Sequence, residues 1–458
     1  MNVEQIKQNK LKMILQFSIP SIIAMLLETV ITMTDGFFTG NFVGENALAA
    51  INLGLPILYL YLGIGLCVGV GGTVISGRLL GAGDNKKAGE VFSQTMVTSL
   101  VACVIISVAV LALFGPIQGL LKADGALSGY FKDYYMVMLF DYPLMVLFTV
   151  FGMFVRIDGK PQLCMGVGII GCLLNAVLDY VFVALLGMGV FGSAIGSLIV
   201  EVVKVTIMAV YFLRGAQRIK YTRFSFDGNV NKETLLNGSS EFIGEMSSAI
   251  SMFAFNYVLM KYAGAEGVAA FTLLGYVVYG YSMVCVGFGQ GLAPLVSFLI
   301  GANERMTAVE IRKTINKILF VLGTIIAAVF IIFGRFYAGF FGCGENVVEM
   351  AATGFMFYAL TFVFMGYDVI NSMYFTSCGD AKSSALISAL RGIVLLLTFT
   401  LVLPMIFGIN GIWMAGPATE IITSIVSLGL IIRQRNLFQR HAPVSIYGLS
   451  ENVLHLAV

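Results

Sequence analysis

The chain has 458 residues, of which 58% are hydrophobic and 11% are charged, and its net charge at neutral pH is +2. Soluble domains carry about 25% charged residues, so this composition excludes an ordinary soluble protein. The longest uncharged stretch covers 37 residues between Glu266 and Glu304. Because about 20 apolar residues cross a bilayer as one helix, the sequence predicts an all-α integral membrane protein.

Apolar runs separated by charged residues or by Gly, Asn and Asp clusters predict twelve transmembrane helices. The predicted spans are 14–42, 47–77, 91–114, 134–155, 162–184, 190–213, 236–262, 267–299, 314–334, 350–374, 383–407 and 411–432. Lysines precede the first span, as in a signal peptide, but no small-residue cleavage site follows it. The first span is therefore expected to remain as an uncleaved helix.

The Lys and Arg residues between the spans are distributed unevenly. Alternate linkers hold 22 of them when Lys317, Lys382 and Arg391, near the starts of their spans, are counted with the preceding linkers, and Lys204 alone is counted within a span. The other linkers hold four, which are Lys122, Lys132, Lys261 and Arg335. Because cytoplasmic loops are enriched in Lys and Arg, both termini are expected in the cytoplasm. The expected location is the inner (plasma) membrane, as a multi-pass protein.

The two halves of the chain resemble each other. Matching residues recur at an offset of 220 or 219, among them Gly71 and Gly291, Gly81 and Gly301, Gly192 and Gly411, and Glu201 and Glu420. Each half has six spans, so two parallel six-helix repeats would face each other across a central cleft, as in transporters. The expected organisation is an N-terminal lobe 1–213, a cytoplasmic linker 214–235, a C-terminal lobe 236–432 and a cytoplasmic tail 433–458.

Three polar residues inside the first lobe are the strongest candidates for a functional site. Asp35 lies late in span 1, and Asn175 and Asp179 lie one turn apart on span 5, so they share a helix face. Their counterparts in the second half are Phe255, Val394 and Thr398. A structural requirement of the repeat should recur in both halves, so this asymmetry favours a function. The alternative is a hydrogen bond that only joins spans 1 and 5.

The chemistry of this pair indicates ion coupling. Two neighbouring carboxyl groups in a low-dielectric environment titrate as a unit and can exchange a proton near neutral pH. Two carboxylates with amide and hydroxyl oxygens can also coordinate Na⁺. The residues leave H⁺ and Na⁺ open as the coupling ion.

Other intramembrane charges have simpler explanations. Glu201 and Lys204 are three residues apart on span 6 and are expected to neutralise each other. Glu28 lies seven residues before Asp35, where it could extend a polar path or pair with a neighbouring helix.

A possible second ion site lies in the other lobe. Glu241 and Glu245 are one turn apart near the start of span 7, and Asp368 follows Tyr367 in span 10. The alternative is that both glutamates are solvated or favour the helix N-terminus.

The order and spacing of several motifs resemble the multidrug and toxic compound extrusion (MATE) family of transporters, in its MepA-like bacterial branch. The motifs are the surroundings of Asp35, GRLLGAGD from Gly77 to Asp84, VRIDGKPQ from Val155 to Gln162, the Asn175 and Asp179 pair, and NGSSEFIGE from Asn237 to Glu245. The resemblance covers about residues 10–435.

The resemblance implies export of lipophilic cationic drugs or dyes by H⁺ or Na⁺ antiport, with rocker-switch alternation of the lobes. Asp35, Asn175 and Asp179 match the family's N-lobe cation site, and Ser197 could supply another oxygen. In some members of the family, acidic residues on spans 7 and 10 form a sodium site. Glu241 and Asp368 of this chain fit that pattern only loosely. The 36 Phe, 19 Tyr and 23 Met residues suit a cavity for large cations. No cofactor and no nucleic-acid partner are expected, and the protein is expected to be a monomer.

Two other functions are less consistent with the sequence. A lipid-linked oligosaccharide flippase has a related two-lobe architecture but would need several cations in its cleft, and only Lys204 is mid-span. A membrane enzyme would need a cluster such as DDxxD or HxxxH, which the sequence lacks; the two histidines, His441 and His455, lie in the tail. The seven cysteines show no CxxC or metal-ligand spacing.

Overall fold

The computed structural model describes residues 2–123 and 125–440, and within them the regular secondary structure is entirely helical. The last helix extends to Arg440, so the first part of the predicted tail continues it. The rest of the tail, 441–458 with both histidines, lies outside the described residues.

Six long helices form the N-terminal half. They are helix 1 (Lys10–Phe42), helix 2 (Leu55–Gly81), helix 3 (Asn85–Ala112), helix 4 (Ala126–Ile157), helix 5 (Pro161–Leu185) and helix 6 (Gly189–Gly215). The C-terminal half contains one run, Gly228–Gly301, followed by helix 9 (Arg305–Phe340), helix 10 (Glu345–Cys378), helix 11 (Ala381–Phe407) and helix 12 (Ile409–Arg440). Short helices also form at Val3–Gln8, Glu45–Leu53 and Phe114–Leu120.

The run Gly228–Gly301 is 74 residues long and consists of two helices. Gly264 has φ +61° and ψ −158°, a conformation that interrupts the helix and that glycine adopts without steric cost. The run therefore divides into helix 7 (228–263) and helix 8 (265–301). Eleven helices of the described chain are long and apolar enough to span a membrane when this run counts once, and division at Gly264 gives the twelve predicted spans.

Several predicted boundaries differ from the structure. Predicted span 2 (47–77) contains a break at Gly54, which separates the short helix Glu45–Leu53 from helix 2. Helix 9 begins at Arg305 instead of 314. The prediction was late because an apolar run marks only the part of a helix that crosses the hydrocarbon, and this helix extends beyond it into water. The linker predicted as 214–235 is shorter, since Asp227 accepts backbone N–H hydrogen bonds from Asn229 and Val230 and caps helix 7.

Arg391 was counted with the linker before span 11, but it makes its ion pair within the membrane-spanning helices. Arg391 lies in helix 11, within a π-helical segment Leu390–Val394. Its Nε lies 2.8 Å from Oε1 of Glu420 on helix 12.

The two lobes meet through helices 1 and 2 of the first half and helices 7 and 8 of the second. Gly81 and Gly301, which correspond in the two repeats, make this contact close. A Cβ added at Gly81 would lie 2.0 Å from the carbonyl oxygen of Phe298, and one at Gly301 would lie 2.0 Å from that of Arg78. Small residues let helix backbones approach in this way.

Ion pairs between the lobes lie at the same end of the molecule. Lys7 binds Glu304 with Nζ and Oε1 2.6 Å apart, and Arg78 lies 3.4 Å from Glu233. Lys10 pairs with Glu310 at that end as well. Exposed pairs contribute only about 0.2–1 kcal/mol each, so these contacts favour a joined end without locking it.

Candidate cation site and central cavity

The structure brings the four predicted N-lobe residues together. The Nδ2 group of Asn175 on helix 5 donates a hydrogen bond of 2.8 Å to Oδ1 of Asp35 on helix 1. The hydroxyl of Ser197 on helix 6 donates to Oδ2 of Asp35 at 3.5 Å. Asp179, one turn after Asn175, lies within electrostatic range of Asp35. Three helices therefore converge on one pair of carboxyl groups.

The site has more acceptor oxygens than donors. Asp179 and Asn175 are fully buried, and neither the carboxyl oxygens of Asp179 nor Oδ1 of Asn175 accept a hydrogen bond from a donor group of the described chain, although the carboxyl group of Asp179 lies against that of Asp35. Buried acceptors without partners cost free energy. A bound proton or a Na⁺ ion would satisfy them, and carboxylate, amide and hydroxyl oxygens are suitable ligands for a hard cation. No group of three or more His, Cys, Asp or Glu residues in the described chain is placed to hold a metal ion.

Local backbone geometry positions Asp179. It is the last α-helical residue of helix 5, and a π-helical segment, Tyr180–Leu185, follows directly. Single π-turns in α-helices frequently lie at functional sites. On helix 6, a Cβ at Gly196 would lie 3.4 Å from Oδ1 of Asp179, so this helix packs directly against the carboxyl group.

A second cluster of charges lies beside this site. Lys204 is fully buried, and its ammonium group binds Glu201 at 2.6 Å, as the spacing predicted, and Glu28 at 2.9 Å. Glu28 therefore pairs with a neighbouring helix, which was one of its two interpretations. The Lys204 ammonium also lies 4.1 Å from the ring centre of Phe148.

Sequence reasoning missed Asp141 on helix 4. It is 3% exposed, Oδ1 has no partner in the described chain, and it lies within electrostatic range of Glu201 and Lys204. The signal was present, because Asp141 lies inside predicted span 4 and its counterpart at an offset of 220 is Thr361. The asymmetry that singled out Asp35 applies equally to this residue.

A cavity of about 420 Å³ lies between the lobes and extends into the C-terminal lobe. Three of the four residues predicted for a second site, Glu241, Glu245 and Asp368, line it. Tyr367 does not line it, because the helix turns its side chain about 100° from that of Asp368. Apolar lining residues include Phe255, which corresponds to Asp35 in the repeat.

The partners of Asp368 differ from those predicted. The carboxyl group of fully buried Asp368 accepts a hydrogen bond of 2.9 Å from Ser424 on helix 12, and Oδ1 has no partner in the described chain. The Arg391–Glu420 pair lies within its electrostatic range. Sequence analysis did not identify Arg391 and Glu420 as site residues, although Glu420 is the counterpart of Glu201. The two glutamates of helix 7 form a separate pair in the same cavity.

Comparison with known families agrees with this architecture. A sequence model of the MatE family matches residues 20–181 and again residues 242–402, one match in each half. The chain therefore belongs to the MatE family, whose members are transporters and not enzymes. The double match also confirms that the protein has the two-lobe MATE fold of paired repeats.

Curated relatives and solved structures extend over nearly the whole chain. Multidrug export protein MepA of Staphylococcus haemolyticus is 24% identical and is matched over 93% of this chain and 94% of its own. MepA of Staphylococcus aureus is 25% identical over 88% of this chain and 89% of its own. A structure described as the outward-facing conformation of a multidrug resistance MATE family transporter aligns with a TM-score of 0.88 at 22% identity, covering 94% of this chain and 96% of that one.

Proposed function

We propose that the protein exports lipophilic cationic compounds across the plasma membrane in exchange for H⁺ or Na⁺. The observation that carries this proposal is the buried N-lobe site, in which two carboxyl groups and an amide leave three oxygens without partners. A cation at Asp35 and Asp179 relieves that deficit, so occupancy of the site has a large effect on the free energy of the lobe.

The coupling follows from electrostatics. When the site has lost its proton or Na⁺, its negative charge favours a positively charged drug in the cleft, and rebinding of the ion weakens that attraction. Mutual weakening of two ligands is reciprocal, so an ion gradient can drive release of the drug. The lobes, 1–213 and 236–432, would move against each other about the cytoplasmic linker.

The cavity supports a lipophilic cation as substrate. It is lined by aromatic and methionine side chains such as Phe271, Tyr358 and Met365, and by carboxyl groups of Glu241 and Glu245. Aromatic faces and carboxylates both attract cations, and methionine adapts to differently shaped ligands. A single chain holds the whole site, so a monomer suffices. The names of the staphylococcal relatives agree with drug export.

The positive-inside rule assigns the joined end of the lobes to the cytoplasm. The joined end carries the described N-terminus, the ion pair of Lys7 with Glu304 and the start of helix 7. With that end closed, the cavity between the lobes would be accessible from the extracellular side, which corresponds to an outward-facing state.

Ethidium export from inverted vesicles, with the pH gradient or the Na⁺ gradient imposed separately, tests the proposed function. We expect ethidium transport to follow one of the two gradients, because binding of the coupling ion drives drug release. Collapse of that gradient should stop ethidium transport in vesicles that contain the same amount of the protein. Transport that depends on neither gradient would contradict ion antiport.

A second prediction concerns topology. Cys343 lies partly exposed in the loop between helices 9 and 10, opposite the joined end, and is a free thiol. A membrane-impermeant maleimide is expected to label Cys343 in intact cells, and a cysteine introduced at Arg218 is expected to react only after lysis. Cys343→Ser provides the matched control for background labelling. The opposite pattern would reverse the orientation and place the termini outside.

A further inference from the structure

A buried cluster of charges lies two helical turns from the candidate cation site. Lys204 is fully buried, and its ammonium nitrogen lies 2.6 Å from Glu201 and 2.9 Å from Glu28. Glu28 lies on helix 1, which also carries Asp35, and Lys204 lies on helix 6, which also carries Ser197. The residues of each pair are seven positions apart, or about 10 Å along a helix. The charge cluster and the cation site therefore share two helices.

The neighbouring helices 4 and 5 also connect the cluster with the site. On helix 5, a Cβ at Gly171 would lie 2.8 Å from Cδ of Lys204, so the glycine leaves room for the lysine side chain one turn before Asn175. On helix 4, Asp141 lies within electrostatic range of both Asp35 and Lys204. Charges separated by protein interior are screened less than charges in water. The ammonium group therefore acts on the cation site across this distance.

The cluster contains more carboxyl groups than cations. Glu28, Glu201 and Asp141 lie within range of the one ammonium group of Lys204. Oε2 of Glu201 and Oδ1 of Asp141 have no hydrogen-bond partner in the described chain. The ammonium group offsets the charge of one carboxylate, so the cluster with all its groups ionised is negative. Lys204 therefore limits the negative charge that the cluster adds to the cation site.

The two repeats share only part of this arrangement. Glu201 corresponds to Glu420, and each glutamate is paired with a cation, Lys204 in the first lobe and Arg391 in the second. The cations come from different helices, because the counterpart of Lys204 is Thr423. Of the two cations, Lys204 alone has a second ion pair in the described chain, and that pair joins it to helix 1. Neutralisation of the glutamate is common to both lobes, whereas the link to helix 1 belongs to the N-terminal lobe.

We propose that Lys204 is an internal counter-charge that weakens binding of the coupling ion at Asp35 and Asp179. The inference rests on the proposed export function and deepens it, because it names a group that adjusts the affinity of the same site. Two buried carboxyl groups attract a cation strongly, but antiport also needs the ion to leave in each cycle. A fixed positive charge about 10 Å away lowers the affinity without occupying the site.

Several titratable groups surround the two charge centres. Those near Lys204 are Glu28 on helix 1, Asp141 on helix 4 and Glu201 on helix 6, and those near Asp35 are Glu28, Asp179 on helix 5 and Tyr134 on helix 4. Their titration accompanies that of the site when pH is varied. Variants that change the net charge of the cluster in opposite directions therefore give a sharper test than one variant alone.

Two single variants and their combination test the proposal. The affinity of the purified full chain for ethidium is titrated against pH and against Na⁺, and the midpoint of the response reports the affinity for the coupling ion. We expect Lys204→Gln to raise that affinity about 10-fold, which moves the midpoint to higher pH or to lower Na⁺. Glu201→Gln should move it in the opposite direction by a similar factor. The double variant keeps the net charge of the cluster and should lie close to the unaltered protein.

Lys132→Gln is the matched control, because it removes the positive charge of an exposed lysine on helix 4 and should leave the midpoint unchanged. If Lys204→Gln folds poorly, Glu201→Gln still tests the proposal, since the pair of Lys204 and Glu28 remains. An unchanged midpoint in Glu201→Gln, or shifts of both single variants in the same direction, would overturn the assignment and leave Lys204 a packing role. Ethidium binding that responds to neither H⁺ nor Na⁺ in the unaltered protein would instead contradict the proposed function.

Discussion

Asp35→Asn is expected to abolish gradient-driven efflux while expression and membrane insertion stay near normal. The amide oxygen of the new side chain can still accept the hydrogen bond from Asn175, and its NH₂ group can donate to the unpartnered oxygens of Asp179. Packing is therefore preserved, but the charge that we propose binds the coupling ion is lost. Because coupling free energies of about 1–3 kcal/mol correspond to 5- to 150-fold effects, efflux should fall by at least about tenfold.

The measurement is ethidium export from vesicles that contain equal amounts of each variant. Asp84→Asn is a matched control, since it makes the same chemical change at the cap of helix 3, where Asp84 accepts a hydrogen bond from the backbone N–H of Lys87. Asparagine caps helices as well as aspartate does, so this control should transport normally. Full efflux by Asp35→Asn would reduce Asp35 to a packing residue that joins helices 1 and 5.

The helical architecture could be predicted from sequence because hydropathy and charge act over long stretches. A run of 20 apolar residues has few alternatives to a spanning helix, which explains why all twelve spans were found. The predictions that were wrong concern helix boundaries that depend on local backbone geometry. The break at Gly54 and the early start of helix 9 depend on backbone conformation outside the hydrocarbon, which composition does not report.

The N-lobe site could be predicted because its residues are one turn apart or unmatched in the second repeat. The convergence of Asn175 and Ser197 on Asp35 needs three helices to pack in one way, and only the structure gives it. Arg391 shows the limit of reasoning from sequence. It was counted with the cations of the linker before span 11, whereas its partner Glu420 lies on another helix, at a sequence distance that no local pattern encodes.

Each lobe contains a candidate site for a coupling ion, and we propose the N-terminal one on electrostatic grounds. Asp35 and Asp179 face each other without a cation among their described partners. In the second lobe, Asp368 and Glu420 share one neighbouring cation, Arg391, whereas the pair of Asp35 and Asp179 has none among its described partners. A site whose negative charge is offset less by neighbouring cations is stabilised more when it binds a coupling cation.

Asp179→Asn is therefore expected to remove the response of drug binding to the coupling ion. In the unaltered protein, the affinity for ethidium should fall as pH is lowered or as Na⁺ is raised, because the ion and the drug compete for the same negative charge. Asp179→Asn should flatten that dependence, whereas Glu241→Gln and Asp368→Asn should keep at least part of it. Fluorescence titrations in detergent across pH and Na⁺ concentration give all four curves on the same scale. If the dependence survives in Asp179→Asn and disappears in Asp368→Asn, the coupling site lies in the C-terminal lobe, and the unpartnered oxygens of the N-lobe serve only the packing of helices 1, 5 and 6.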